Sequence, residues 1–173
     1  MTLHETSFFS SLQEGEDEAV RREALERAGK LLARRARSES EVRDALSRSE
    51  FAAAVIEETI AKLQELELLD DAAFARQWIE ERGGRKGLGP RRLLSELRLK
   101  GVSDETFRQA LADVGLDDEA RAKEVAAGLV RKVVQRPLGQ QAMRLQQMLL
   151  ARGFDLETTL AAVRTVLPPE GWD

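Results

Sequence analysis

Pro90-Arg91-Arg92-Leu93-Leu94-Ser95-Glu96-Leu97-Arg98-Leu99-Lys100-Gly101-Val102 contains the opening, the two faces and the ending of one short helix. Proline suits a first helical position, because its φ is already helical and its missing N–H would have no partner there. Leu93, Leu94 and Leu97 follow at three-to-four spacing and form an inward face, while Arg91, Ser95 and Arg98 share the side turned to solvent. Gly101 followed by Val102 predicts a Schellman ending, in which glycine takes the left-handed conformation without a Cβ clash and the apolar residue after it folds back on the helix.

The layout recurs along the chain. Val42/Leu46, Leu93/Leu97 and Leu145/Leu149 are matching apolar pairs, spaced by 51 and then 52 residues. Arg152-Gly153-Phe154 repeats the Lys100-Gly101-Val102 ending, and Gly115-Leu116-Asp117-Asp118 parallels Leu68-Leu69-Asp70-Asp71. A period near 50 residues means stacked modules whose apolar faces are buried partly by one another.

Each module reads as three short helices. In the first, Ala24, Ala28, Leu31 and Leu32 share a face, Ser38-Glu39-Ser40-Glu41 is a capping box, and Ser49 is expected to cap a helix with Phe51, Val55, Ile56, Ile60, Leu63 and Leu66 inward. In the second, Asp70 or Asp71 caps a helix with Phe74, Trp78 and Ile79 in the core, and Gly83, Gly84, Gly87 and Gly89 are expected to break it. Ser103-Asp104-Glu105 then starts a helix with Phe107, Ala110, Leu111 and Val114 inward. In the third, the expected core is Val125, Leu129, Val130 and Val133, then Met143, Leu145, Met148 and Leu149, then Leu160, Val163 and Leu167 after an Asp155 cap. The predicted fold is therefore all-α: an elongated tandem array of three-helix repeats with about nine helices. The repeats are expected over 18–67, 68–115 and 116–167, between a flexible acidic N-terminal tail (1–17, carrying Phe8 and Phe9) and a C-terminal tail (168–173).

Composition agrees. Charged residues are 34% and aromatic ones 5%, with Tyr absent, which favours helices over strands. With no cysteine, disulfides and thiol chemistry are excluded. No run approaches the ~18 apolar residues of a membrane span. Met1-Thr2-Leu3-His4-Glu5 lacks a basic region followed by an apolar run, so no signal peptide or membrane association is expected, and the simplest location is the cytosol.

Reactive groups are sparse. The single histidine, His4, stands in the expected tail and makes a poor general base, and no zinc ligand set exists. The acid pairs Asp70/Asp71 and Asp117/Asp118 are explained by helix capping. Gly83-Gly84-Arg85-Lys86-Gly87-Leu88-Gly89 fails as a nucleotide phosphate loop, since no lysine followed by Ser or Thr comes after the glycines and no strand precedes them. The expectation is a non-enzymatic protein with no cofactor and no metal.

Charge is the informative feature. The chain carries a net −4, yet Arg82 to Arg108 holds eight cations (82, 85, 86, 91, 92, 98, 100, 108) against three acids (96, 104, 105). Such an edge attracts phosphates or an acidic protein surface. Phe74 and Trp78, four apart, are read as core rather than as a stacking platform for bases.

The order Leu69-Asp70-Asp71-Ala72-Ala73-Phe74-Ala75-Arg76, Arg85-Lys86-Gly87-Leu88-Gly89-Pro90-Arg91-Arg92-Leu93, then Glu96-Leu97-Arg98-Leu99-Lys100-Gly101-Val102 resembles the central block of the RecX family over about 69–114. The resemblance implies a bacterial cytosolic regulator, acting as a monomer, that lies along the RecA filament on single-stranded DNA. It implies inhibition of ATP hydrolysis, strand exchange and cleavage of the SOS repressor, with weak direct DNA binding in addition. Charge selects Arg85, Lys86, Arg91, Arg92, Arg98 and Lys100 as the contact set, with Gly89, Pro90 and Gly101 assigned to shape. The competing readings are a helical DNA-binding regulator that works without RecA, a scaffold that binds another protein through its acidic first module, and a hydrolase built on a carboxylate pair.

Overall fold

The computed structural model describes residues 3–167 and is helical throughout, with nine α-helices and no strand among the described residues. The helices are α1 (Leu3–Leu32), α2 (Glu39–Ser47), α3 (Ala53–Glu65), α4 (Asp71–Trp78), α5 (Pro90–Arg98), α6 (Asp104–Val114), α7 (Asp118–Leu129), α8 (Leu138–Ala151) and α9 (Leu156–Val166). A π-helical segment, Ile79–Arg85, continues α4, and a short 3₁₀ turn, Val130–Lys132, continues α7.

The chain divides into two compact units, Met1–Phe74 and Ala75–Asp173, with the division inside α4. In the first unit, Ala24 and Ala28 of α1 meet Val42 and Leu46 of α2 and Ile56, Ile60 and Leu63 of α3, with Leu69 closing the cluster. The small alanines let α1 approach closely, and α1 packs along both α2 and α3. In the second unit, Ala75, Ile79, Leu93, Leu97, Val102, Phe107 and Ala110 are buried. Ala122, Ala126, Leu129, Ala142, Leu145, Leu149, Phe154, Ala162, Val163 and Leu167 form a further cluster, within which α7 packs along α9.

The repeat is visible in its hydrogen bonds. All six residues of the pairs Val42/Leu46, Leu93/Leu97 and Leu145/Leu149 are fully buried. After each pair the backbone closes identically: Phe51 N donates to Leu46 O (3.4 Å), Val102 N to Leu97 O (3.0 Å) and Phe154 N to Leu149 O (3.3 Å). The residue before each donor is left-handed, with φ of 63° at Glu50, 77° at Gly101 and 91° at Gly153. The expected Schellman endings are thus present, and the first module makes the same turn with a glutamate.

Several local expectations are corrected. The tail expected over 1–17 is helical from Leu3, as part of a 30-residue α1. The Ala-, Glu- and Arg-rich stretch 18–32 nucleates the helix, Leu, Glu and Gln continue it towards the N-terminus, and its two glycines, Gly15 and Gly29, are too small a penalty to stop it. His4, Phe8 and Phe9 have side chains outside the described residues, as do residues 168–173. Ser49 does not cap α3. Its hydroxyl donates to Ala45 O at the end of α2, and Ala52 stands at the α3 N-cap without a side-chain bond. The glycines at 83 and 84 do not break the helix, which continues through them in π form to Arg85; the left-handed Gly87 (φ 65°) follows. A Cβ on Gly83 would lie 2.8 Å from Leu116 Cδ1, so this glycine serves close packing. Met143 is 59% exposed rather than core.

The caps are as expected elsewhere. Ser38 accepts from Glu41 N, Ser103 from Thr106 N, and Asp155 from Thr158 N. In each acid pair the first carboxylate caps and the second reaches outward. Asp70 accepts from Ala72 N and Ala73 N while Asp71 accepts from Glu39 N at 2.8 Å. Asp117 accepts from Ala120 N while Asp118 pairs with Arg121.

Candidate partner-binding surface

Helix α5 presents the predicted basic face. Leu93 and Leu97 are fully buried, Leu94 is half-buried, and Arg91, Ser95 and Arg98 are exposed along the outer side. Seven residues separate the two arginines, about 10 Å along the axis. The N-terminus of α5 is fixed by backbone bonds to the turn between α8 and α9: Gly89 N donates to Arg152 O (2.8 Å) and Arg91 N to Gly153 O (3.1 Å). A Cβ on Gly89 would come within 2.5 Å of the Gly153 carbonyl carbon, so glycine is required at both sides of this backbone crossing. Gly89 N-caps α5, Pro90 opens it, and Gly101, with φ of 77°, follows its end.

The six predicted contact residues fall in two places. Arg85 and Lys86, at the end of the π-helical segment, line a cleft that also takes Arg121 and Arg152. Arg91, Arg92, Arg98 and Lys100 belong to α5 and its C-terminal turn.

Lys86, Arg92 and Arg98 have local carboxylate partners. Lys86 Nζ lies 3.1 Å from Glu81, Arg92 Nε 3.4 Å from Glu96, and Arg98 donates twice to Asp104 at 2.7 and 2.5 Å. The Arg98 guanidinium holds the Asp104 carboxyl below its usual range, and the Lys86 ammonium does the same for Glu81. The Lys86 and Arg98 pairs are exposed on both sides, where such contacts contribute only about 0–1 kcal/mol, so a carboxylate or phosphate from a partner can displace them; in the third pair Arg92 is exposed while Glu96 is 17% exposed. Arg91 makes no ion pair among the described residues.

Trp78 is a member of this surface that its sequence reading missed. It is half-buried, not core like Phe74. The Arg82 guanidinium stands 4.6 Å from its ring centroid, the Lys100 ammonium 5.3 Å, and its Nε1 donates to Glu96 at 3.1 Å. The indole thus holds two cations by its π-face and orients the acid that pairs with Arg92. The i,i+4 spacing of Trp78 and Arg82 was the available signal.

Arg121 was also missed. Its side chain is 11% exposed, pairs with Asp118, and donates to the carbonyls of Gly83 (2.8 Å) and Leu88. It also stands 5.7 Å from the Phe154 ring. Burial lowers its pKa, with Asp118 opposing; burial also raises that of Asp118. Arg121 therefore fixes the exit of the π-helical segment. Its i,i+3 relation to Asp118 was legible, but its acceptors some 35 residues away were not.

Among the described residues no group of His, Cys, Asp and Glu could hold a metal ion, and no helix is long and apolar enough to cross a membrane. The fold is that of a helical-repeat protein with a charged outer helix. Residues 15–63 match the family model for the first three-helix domain of RecX, and 70–111 match that for the second. The regulatory protein RecX of Thermobifida fusca (strain YX) is 33% identical over 143 residues, covering 82% of this chain and 77% of that protein. That of Levilactobacillus brevis is 34% identical over 150 residues, covering 85% of this chain but only 56% of the longer relative. The crystal structure of RecX from Lactobacillus salivarius superposes with a TM-score of 0.77 at 20% identity, over 86% of this chain and 97% of that one, and shows the shared fold. The chain belongs to the RecX family, a family of regulatory proteins and not of enzymes.

Proposed function

We propose that this chain binds the RecA recombinase and its filament on single-stranded DNA, in the bacterial cytoplasm and as a monomer, and depresses ATP hydrolysis, strand exchange and the SOS coprotease activity. Membership of the RecX family carries the reading, and the exposed cations of α5 support it. Arg91, Arg92, Arg98 and Lys100 form the principal contact, joined by Arg85 and Lys86. Three helical modules, over 18–67, 68–115 and 116–167, grip successive subunits, and each further grip gains from the effective concentration set by the first.

The test is to measure RecA ATPase and strand exchange on single-stranded DNA with and without the protein, then duplex binding without RecA. Inhibition at stoichiometric amounts, with duplex binding weak, is expected. An unaffected recombinase rejects the reading. Tight, steeply salt-dependent duplex binding would instead favour a regulator that acts on DNA alone.

A further inference from the structure

Helix α8 turns an apolar stripe to solvent. Met143 and Leu150, seven residues or about 10 Å apart along the axis, are 59% and 40% exposed, and Leu156, which opens α9, is 56% exposed. Leu145 and Leu149, fully buried on the opposite side, fix this orientation. The turn after α8 is the turn after α5: Phe154 N donates to Leu149 O as Val102 N does to Leu97 O. Leu156 therefore stands beside Leu150 in the place where Asp104 pairs with Arg98.

Folding does not ask for apolar residues here. Arg91, Arg98 and Asp104 hold the matching places around α5, all exposed, and Leu93 and Leu97 are buried just as completely. A lone exposed apolar side chain is ordinary on a protein surface, whereas three contiguous ones form a patch that water covers poorly.

The rim of the stripe is cationic. Helix α8 carries Arg144 and no acid, and Arg152 stands at its C-cap. Neither makes an ion pair among the described residues, and Arg144 instead donates to Gln147 Oε1, on the stripe, at 3.1 Å. Of the acids that follow, Asp155 is engaged as the α9 cap, and Glu157 lies on α9.

This chemistry selects a protein surface as the occupant. A phosphate backbone gains nothing from methionine and leucine, and no aromatic ring stands in the stripe to stack a base. A second copy gains too little, since three side chains fall far short of the roughly 800 Å² per partner of a stable interface. As one grip among several the same patch suffices, because the other contacts supply its effective concentration.

We propose that Met143, Leu150 and Leu156 dock an apolar, acid-rimmed patch of the protein partner that α5 meets with its cations. The inference rests on the RecA reading above and adds to it a contact that salt does not screen. The two helices thus grip by different forces, α5 by charge and α8 by burial.

The full chain, fluorescently labelled, is titrated with RecA filament on single-stranded DNA at low and at high salt. Met143→Gln/Leu150→Gln changes no charge, keeps good helix formers and should leave thermal melting unchanged. It should weaken filament binding roughly tenfold, by a similar factor at both salt concentrations. Met143→Leu should bind as the parent does. The loss caused by Arg91→Glu/Arg92→Glu should instead shrink as salt rises. Filament binding by the parent that the glutamine variant retains in full overturns this inference and leaves the RecA reading standing, whereas no binding by the parent overturns both. A glutamine variant that weakens binding to the bare oligonucleotide, or that abolishes a dimer seen by sedimentation, would assign the stripe to nucleic acid or to a second copy and equally overturn the proposal.

Discussion

Helices α5 and α8 are the middle helices of the second and third modules, and they agree inside and disagree outside. Both bury a leucine pair completely, Leu93/Leu97 and Leu145/Leu149, and both close on a left-handed glycine. The outer face of α5 carries Arg91, Ser95 and Arg98; the same positions, 52 residues on, are Met143, Gln147 and Leu150. Even the Arg98–Asp104 ion pair has an apolar counterpart, since Leu150 and Leu156 stand at those positions and are 40% and 56% exposed. The buried positions specify the module, and the exposed ones differ freely because they contribute little to folding. The two helices are therefore alike in what they bury and distinct in what they expose.

The sharpest way to break this equivalence is at the turn. Gly101 and Gly153 make the same turn, but a Cβ on Gly153 would also meet the backbone and Cβ of Arg92. Gly153→Ala should cost on the order of 4 kcal/mol, whereas Gly101→Ala, at an exposed position, should cost about 1–2 kcal/mol for its left-handed conformation. Denaturant midpoints of the two variants check this, and equal losses would contradict the backbone crossing.

A cap probes the third module more gently. Hydrogen bonds from Thr158 hold the Asp155 carboxyl below its usual range. Its contribution is present above the unfolded pKa and is lost as pH falls through the lower, folded value. Asp155→Ala should lose about 1 kcal/mol at neutral pH, and the gap to the parent should close in acid. Urea melts at several pH values measure it. The smallest effect lies in the first module, where Glu50 occupies the left-handed place at φ 63°. Glu50→Gly should stabilise by up to about 1 kcal/mol, less than the strain relieved because glycine loses more freedom on folding.

Legibility in the sequence followed the range of each interaction. The paired apolar residues, the caps at Ser38, Ser103 and Asp155 and the glycine endings are local, so spacing was enough to place them; Ser49 failed because a second acceptor, Ala45 O, lay one turn back. Glu50 escaped because a glutamate does not advertise a left-handed turn; only its register against Gly101 and Gly153 reveals it. Met143 was read as core from its helical spacing, yet that helix has two flanks, and its tertiary neighbours decide which is covered. The basic residues were found by counting charge. Which of them pair with Glu81, Glu96 or Asp104, and which border the cleft with Arg121 and Arg152, depends on side-chain directions and on chain brought in from another module.

The decisive measurement is RecA ATPase on single-stranded DNA, titrated with the parent chain and with Arg91→Glu/Arg92→Glu. The variant should inhibit at least about tenfold more weakly at unchanged far-ultraviolet helicity, since two cations of the contact become anions. Inhibition equal to the parent's would remove the α5 face from the account.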